Sequence, residues 1–239
     1  MNEGVLVMVD GRMKVLHRVG GGDDEMLRTV LEHRPELVVG AATPGDRRRL
    51  LLVRHRAVGN GSSLERLYVD SDAVPVLVGV ELATDGGAAG DALLRLLDRV
   101  AVELSRWRGG RLRELAGATH AELDEATLLA RALDRRVDPD TFWAIAESHL
   151  AHHRLRVVLV ADRHPDELLR VIELLDGHLR GIEVRAVEVA LHGSGPVRAL
   201  VPHAASTASS RRRAGDAALL ALLDPAADVP APGRHRLRD

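Results

Sequence analysis

Residues 75–85 read PVLVGVELATD, an apolar run whose only charge before the closing Asp85 is Glu81. A strand that is apolar at both parities needs cover on both faces. The run therefore predicts a central strand buried between layers, not a ribbon with one wet face. It also sets a puzzle, because Gly79 and Glu81 share one face under the two-residue period of a strand. A buried carboxylate there requires a partner. The chain has 239 residues and a hydrophobic fraction of 46%, enough for one sizeable layered domain.

The rest of the chain supplies the other layers. GVLVMV and MKVLHRV flank Asp10-Gly11, a strong two-residue hairpin signal, so an N-terminal β-hairpin is expected. After the glycines at 20–22, Asp23 or Asp24 can cap a helix running to about Glu32, with Met26, Leu27, Val30 and Leu31 at helical spacing and Pro35 ending it. RRLLLVRHRAV reads as a strand, LERLYVD as an alternating strand, and the short SDAV link makes the latter a hairpin with PVLVGVELA. From about Ala88 the period changes, and Leu93, Leu97, Val100, Leu104 and Trp107 mark a helix ending near Gly109-Gly110. RLRELAGATHAELDEATLLARALD reads as a second helical stretch, and DPDTFWAIAESHLAHH as another helix opened by a proline after an aspartate cap. LRVVLVAD is a buried strand, HPDELLRVIELLDGHL a helix, and GIEVRAVEVALH and PVRALVPH are further strands. The expected organisation is a hairpin and glycine linker over 1–22, one α/β (α+β) domain with a mixed central sheet over 23–205, and a tail over 206–239. The tail's STASSRRR and PAADVPAPGRHRLRD have the composition of disorder, interrupted by one short helix candidate, GDAALLALLD.

Composition narrows the chemistry. With 35 acidic against 33 basic residues, the chain lacks the global positive field of an avid nucleic-acid binder, so any such contact has to be local. There is no cysteine, which excludes disulfides, thiolate nucleophiles and cysteine-ligated zinc, and fits a reducing cytoplasm. Lys14 is the only lysine, in MKVLHRV, where it decorates an exposed strand; arginine stays protonated and does not replace a lysine base. MNEGVLVMVDGR has too short an apolar run and no cationic lead-in for a signal peptide. No stretch approaches the ~18 apolar residues of a membrane span. The expectation is a soluble cytoplasmic protein without a membrane partner, with a homo-oligomer allowed.

The order helix, three strands, helices, strand, together with DDEMLRTVLEHRPELV, LERLYVDSDAVPVLVGVELATD and LLRLLDRVAVELSRW, resembles the PD-(D/E)XK nuclease-like superfamily, and more closely an uncharacterised bacterial group within it. The likeness extends from about residue 23 to residue 203. It implies a restriction-endonuclease-like sheet, in which an acid on the second core strand and an acid-x-lysine on the third hold divalent metal. Carboxylates at alternate strand positions share such an ion, which acidifies a bound water and neutralises the scissile phosphate. Carried over by position, the resemblance implies Glu25 as the helix acid, Glu65 as the strand acid, and Gly79-Val80-Glu81 in place of the acid-x-lysine. Arg95 and Arg99 stand where a Gln and a Tyr are common. One acid is missing and the lysine has become an acid, so the expectation is a degenerate site in a binding or scaffold subunit without a cofactor. The alternatives are a divergent nuclease holding Mg2+ on Glu25, Glu65 and Glu81, and a nucleic-acid-binding module without catalysis. Glu81 is then either a metal ligand or neutralised by Arg95 or Arg99; Asp91, Arg95, Arg99 and Glu103 also have the spacing of a charge ladder on a solvated helix.

Other candidates are weaker. His149, His152 and His153 form an HxxHH cluster without a third ligand at a diagnostic offset. GSGP at 193–196 and GNGSS at 59–63 lack the lysine of a phosphate cradle and read as turns. Arg47, Arg48 and Arg49, with Arg211, Arg212 and Arg213 in the tail, could contact a phosphate backbone or an acidic protein partner, or simply remain solvated. Aromatics are 2% of the chain, too few for stacking on single-stranded bases, and Trp107, Phe142 and Trp143 fall at apolar helical positions.

Overall fold

A computed structural model describes residues 4–19, 24–42, 48–58, 63–81, 93–98, 100–102 and 110–205. Its strands are β1 (Gly4–Val9), β2 (Arg12–Arg18), β3 (Leu50–Val58), β4 (Ser63–Asp70), β5 (Pro75–Glu81), β6 (Leu155–Ala161), β7 (Ile182–Ser194) and β8 (Val197–Ala204). The helices are α1 (Asp24–His33), α2 (Pro35–Val39), α3 (helical residues 93–98 and 100–102), α4 (Arg111–Thr119), α5 (Glu125–Leu133), α6 (Pro139–Ala151) and α7 (Asp166–His178). One mixed sheet runs β1-β2-β7-β6-β5-β4-β3, with β8 also paired to β7. The expected mixed α/β sheet flanked by helices, with an N-terminal hairpin, is what the chain forms.

Period-two alternation sorts the two faces. On one, Val76, Val78 and Val80 of β5 and Val158 and Val160 of β6 pack against Leu27 and Leu31 of α1 and Val38 and Val39 of α2. On the other, Leu77, Val157, Leu159, Val184 and Ala186 meet Leu93, Leu96 and Val100 of α3 and Leu168, Leu169 and Ile172 of α7. Towards β3, the same face meets α4, α5 and α6, where Phe142 and Trp143 are core as expected. All seven residues of β6 are buried, as a strand with helices above and below must be. Strands β3, β4 and β5 form an antiparallel meander, and β5, β6 and β7 are parallel.

Local chemistry explains the joints. Asp10 and Gly11 have φ of 50° and 72°, the paired positive values of a type I′ hairpin turn. The β4–β5 turn is built on Asp70, fully buried, whose Oδ1 accepts the backbone N–H of Asp72 and of Val74 at 2.9 Å each. Burial acts to raise its carboxyl, and those N–H groups, with Arg156 and Arg48, act against it; the net direction is upward. Tyr68 ties β4 to α1 by donating its hydroxyl to the Leu31 carbonyl at 2.6 Å.

Two expectations need correction. Pro35 ends α1, whose last residue is His33, but it also opens α2, because a missing N–H costs nothing in a first helical turn. RLRELAGATHAELDEATLLARALD is not one helical stretch: α4 stops at Thr119, and Asp124 caps α5 by accepting the Thr127 N–H at 3.0 Å. The break has a purpose at the sheet edge. Thr119 donates its hydroxyl to the Val53 carbonyl at 2.7 Å, and His120 Nε2 lies 2.8 Å from the Leu52 carbonyl, so the last residues of α4 cover the open edge of β3.

Candidate functional site

The β4–β5 ladder sets Glu65 opposite Gly79 and Glu81 opposite Ser63. Opposed residues share a face, so positions 65, 79 and 81 carry the parity of Leu77, the parity on which α3 packs. The meander thus brings together the positions expected to matter on β4 and β5. The side chains of Glu25, Glu65 and Glu81 lie outside what the structure describes, as does Arg99. Position 25 belongs to α1, which packs through Leu27 and Leu31 on the other parity of β5. Arg95 is an exposed residue of α3.

Gly79 answers half of the puzzle set by its strand. A Cβ built there comes within 2.8 Å of Leu96 Cγ and 2.9 Å of Leu96 Cδ2, and closer still to Cδ1. Leu96 is only 2% exposed and packs in the cluster that holds Leu77 and Leu159. The place where a strand acid would project is therefore filled by a leucine from the covering helix. Glycine at 79 is what allows α3 to approach β5 so closely.

A second carboxylate shares the row of Glu81, and sequence reasoning missed it. The parallel ladders align Glu81 with Ala161 and Ala161 with Glu188, and β8 adds His203 opposite Glu188. Glu188 is buried at the carboxyl ends of the parallel strands. Its Oε1 accepts the His164 backbone N–H at 2.9 Å, and its Oε2 accepts from His203 Nε2 at 3.2 Å. Burial pushes the Glu188 carboxyl up, but the His203 and His164 hydrogen bonds and the charge on both rings outweigh it and hold it at about 2. The hydrogen bond to Glu188 raises the His203 ring against partial burial, whereas burial lowers the His164 ring. His164 is buried, its Nε2 lies 3.2 Å from the Val187 carbonyl, and its Nδ1 has no hydrogen-bond partner among the described residues. The arrangement pairs the Glu188 carboxylate with the His203 ring and sets the buried His164 beside it. The signal was present in AVEVAL, a glutamate inside an apolar strand as in GVELA.

The remaining candidates separate in space. Arg48 Nη1 reaches Asp70 at 3.4 Å and Asp72 at 3.9 Å. Arg49 reaches Glu36 at 3.0 Å and Asp134 at 3.5 Å. Both guanidinium groups are matched by carboxylates of the chain itself, while Arg47, Arg211, Arg212 and Arg213 lie outside the described residues. In HxxHH, His149 Nδ1 lies 3.0 Å from the Ala73 carbonyl and His152 Nδ1 2.7 Å from the Ser148 carbonyl, so these rings serve the backbone. Among the described residues, no group of three or more histidine, aspartate or glutamate side chains is placed to hold a metal ion. Gly193 and Ser194 close β7 and Gly195 starts a turn at φ 58°; residues 59–62 of the other glycine loop lie outside the described residues. Among the described residues no helix is long and apolar enough to cross a membrane. Comparison with protein-family models, with curated proteins and with solved structures finds no match for the chain.

Proposed function

We propose that the chain is a PD-(D/E)XK-like scaffold that has lost metal-dependent cleavage and acts as a binding subunit of the reducing cytoplasm. The observation that carries this reading is Leu96 lying where a side chain at position 79 would stand, opposite Glu65. A two-carboxylate clamp on magnesium needs ligand oxygens at alternate strand positions, and glycine supplies none. Position 81 brings an acid where a cation would ready the attacking water, and the single lysine, Lys14, belongs to β2. The order of α1, the β3–β4–β5 meander, α3 and the parallel β6 supports the scaffold half of the reading. The pairing of Arg48 and Arg49 with internal carboxylates favours a protein partner over a phosphate backbone.

Plasmid and single-stranded substrates incubated with the full chain in magnesium or manganese are expected to remain intact. Cleavage that requires metal and is abolished by Glu81→Ala would overturn the proposal in favour of a divergent nuclease. Retention of DNA in a gel shift, weakening steeply with salt, would favour the non-catalytic nucleic-acid module instead.

A further inference from the structure

Two edges of the sheet, β3 and β1, are treated in opposite ways. The β3 end carries a register shift between Leu52 and Arg54, and two of its carbonyls are covered by Thr119 and His120. Among the described residues, the β1 end shows none of these protections. GVLVMV contains no charge and no proline, and its register with β2 is unbroken from Gly4↔His17 to Val9↔Arg12. Natural edge strands that stay alone carry charges, prolines or bulges.

The hairpin is also poorly anchored. Strand β2 joins β7 through His17↔Gly193 and Arg18↔His192, extended by the Val19 N–H donating to the Leu191 carbonyl at 2.9 Å, and among the described residues Leu16 is the one hairpin residue that is buried. A two-stranded ribbon is marginal in water and gains independent stability with three or more strands and an apolar face. Such a face is present: Leu6 (62% exposed) stands opposite Val15 (45%), and Met8 (70%) opposite Met13 (63%).

We infer that the β1 edge is a self-association surface, with β1 of a second copy pairing to it antiparallel about a two-fold axis normal to the sheet. The turn decides whether this is possible. A type I′ turn makes Val9 and Arg12 the closing hydrogen-bonded pair, so Val5, Val7 and Val9 direct their N–H and C=O groups to β2. Gly4, Leu6 and Met8 therefore direct theirs to the open edge. A two-fold through Leu6 sets Gly4 opposite the partner's Met8 and satisfies these outward groups with their own copies. It also keeps Leu6, Met8, Met13 and Val15 of both copies on one face of a four-stranded ribbon. No charge on β1 opposes this approach, because the cations Arg12, Lys14 and Arg18 are all on β2. A second copy fits where an acidic or basic peptide has nothing on β1 to recognise.

Sedimentation of the full chain over rising concentration is expected to show a mass approaching twice that of one chain. Leu6→Lys sets like charges across the axis and is expected to weaken association about tenfold or more, with unchanged far-ultraviolet circular dichroism. The chain has no cysteine, so Leu6→Cys provides a reading that needs no disruption. Hydrogen-bonded antiparallel partners have Cα atoms about 5.5 Å apart, within reach of a disulfide. Mild oxidation is expected to link Leu6→Cys chains in pairs and to leave Leu174→Cys, 58% exposed on α7, unlinked. A chain that stays monomeric at all concentrations overturns the inference. So does a Leu6→Cys variant that links no faster than Leu174→Cys, and that comparison decides alone if Leu6→Lys fails to fold.

Discussion

Adding one methyl group at position 79 tests the packing on which the functional reading rests. In an unhindered strand interior, Gly→Ala is worth about 0.5–1 kcal/mol of stability, because alanine loses less backbone freedom on folding. At position 79 the new Cβ falls within 2.9 Å of several Leu96 side-chain atoms, and Leu96 is itself closed in by Leu77 and Leu159. Overpacking of that kind costs about 1–3 kcal/mol, so Gly79→Ala should destabilise by about 1–2 kcal/mol net. Leu96→Ala alone should cost about 2–5 kcal/mol through lost burial and the cavity left behind. In the double variant the methyl enters space that Leu96 has vacated. There Gly79→Ala should turn stabilising, by about 0.5–1 kcal/mol. The difference between the two backgrounds is a coupling of about 1.5–3 kcal/mol, readable from urea unfolding of the four proteins by circular dichroism. Additive effects, or a Gly79→Ala chain as stable as its parent, would refute the reasoning. Leu96 would then not cover position 79, and a strand acid would have room there.

The Glu188–His203 pair predicts a pH signature. Glu188 is held at about 2 against an ordinary 4.5, so its contribution is present above 4.5 and lost as pH falls towards 2. His203 is raised above its ordinary 6.5, so its contribution is present below 6.5 and lost as pH rises through the higher folded value. The urea midpoint of the parent minus that of Glu188→Gln should therefore be widest between about 4.5 and 6.5 and shrink on both sides; a flat difference would refute the pairing. Thr119→Val with His120→Ala should uncover the Leu52 and Val53 carbonyls, costing about 1–3 kcal/mol and raising light scattering on warming, whereas a variant as stable and as clear as its parent would show that the edge needs no cover.

What the sequence made legible was local. Asp10-Gly11 demanded positive φ at two successive residues, and PVLVG demanded cover on two faces; neither inference needs knowledge of distant chain. The α4–α5 break was hidden because helical spacing runs almost unbroken through 111–134. What stops the helix is Asp124 offering a cap and Thr119 and His120 turning to β3, whose carbonyls are 66 and 68 residues away. The site was half legible for the same reason. Position 81 could be placed on a strand end, and its facing of position 63 follows from a short hairpin. Leu96 above Gly79 depends on where α3 docks, and Glu188 acquires His203 through β8 and the backbone of His164 through the loop after β6. Spacing within a segment carries no record of such contacts.

The covering of β3 by side chains that follow 66 and 68 residues later has a consequence on the ribosome. At ~5–20 residues per second, the meander, which ends at Glu81, is complete for roughly 2 to 8 s before Thr119 has even been polymerised. Through that interval the nascent chain displays a bare β3 rim to its neighbours on the same polysome. Conditions that slow elongation between codons 81 and 119 should therefore lower the yield of native protein more than an equal delay placed after codon 120.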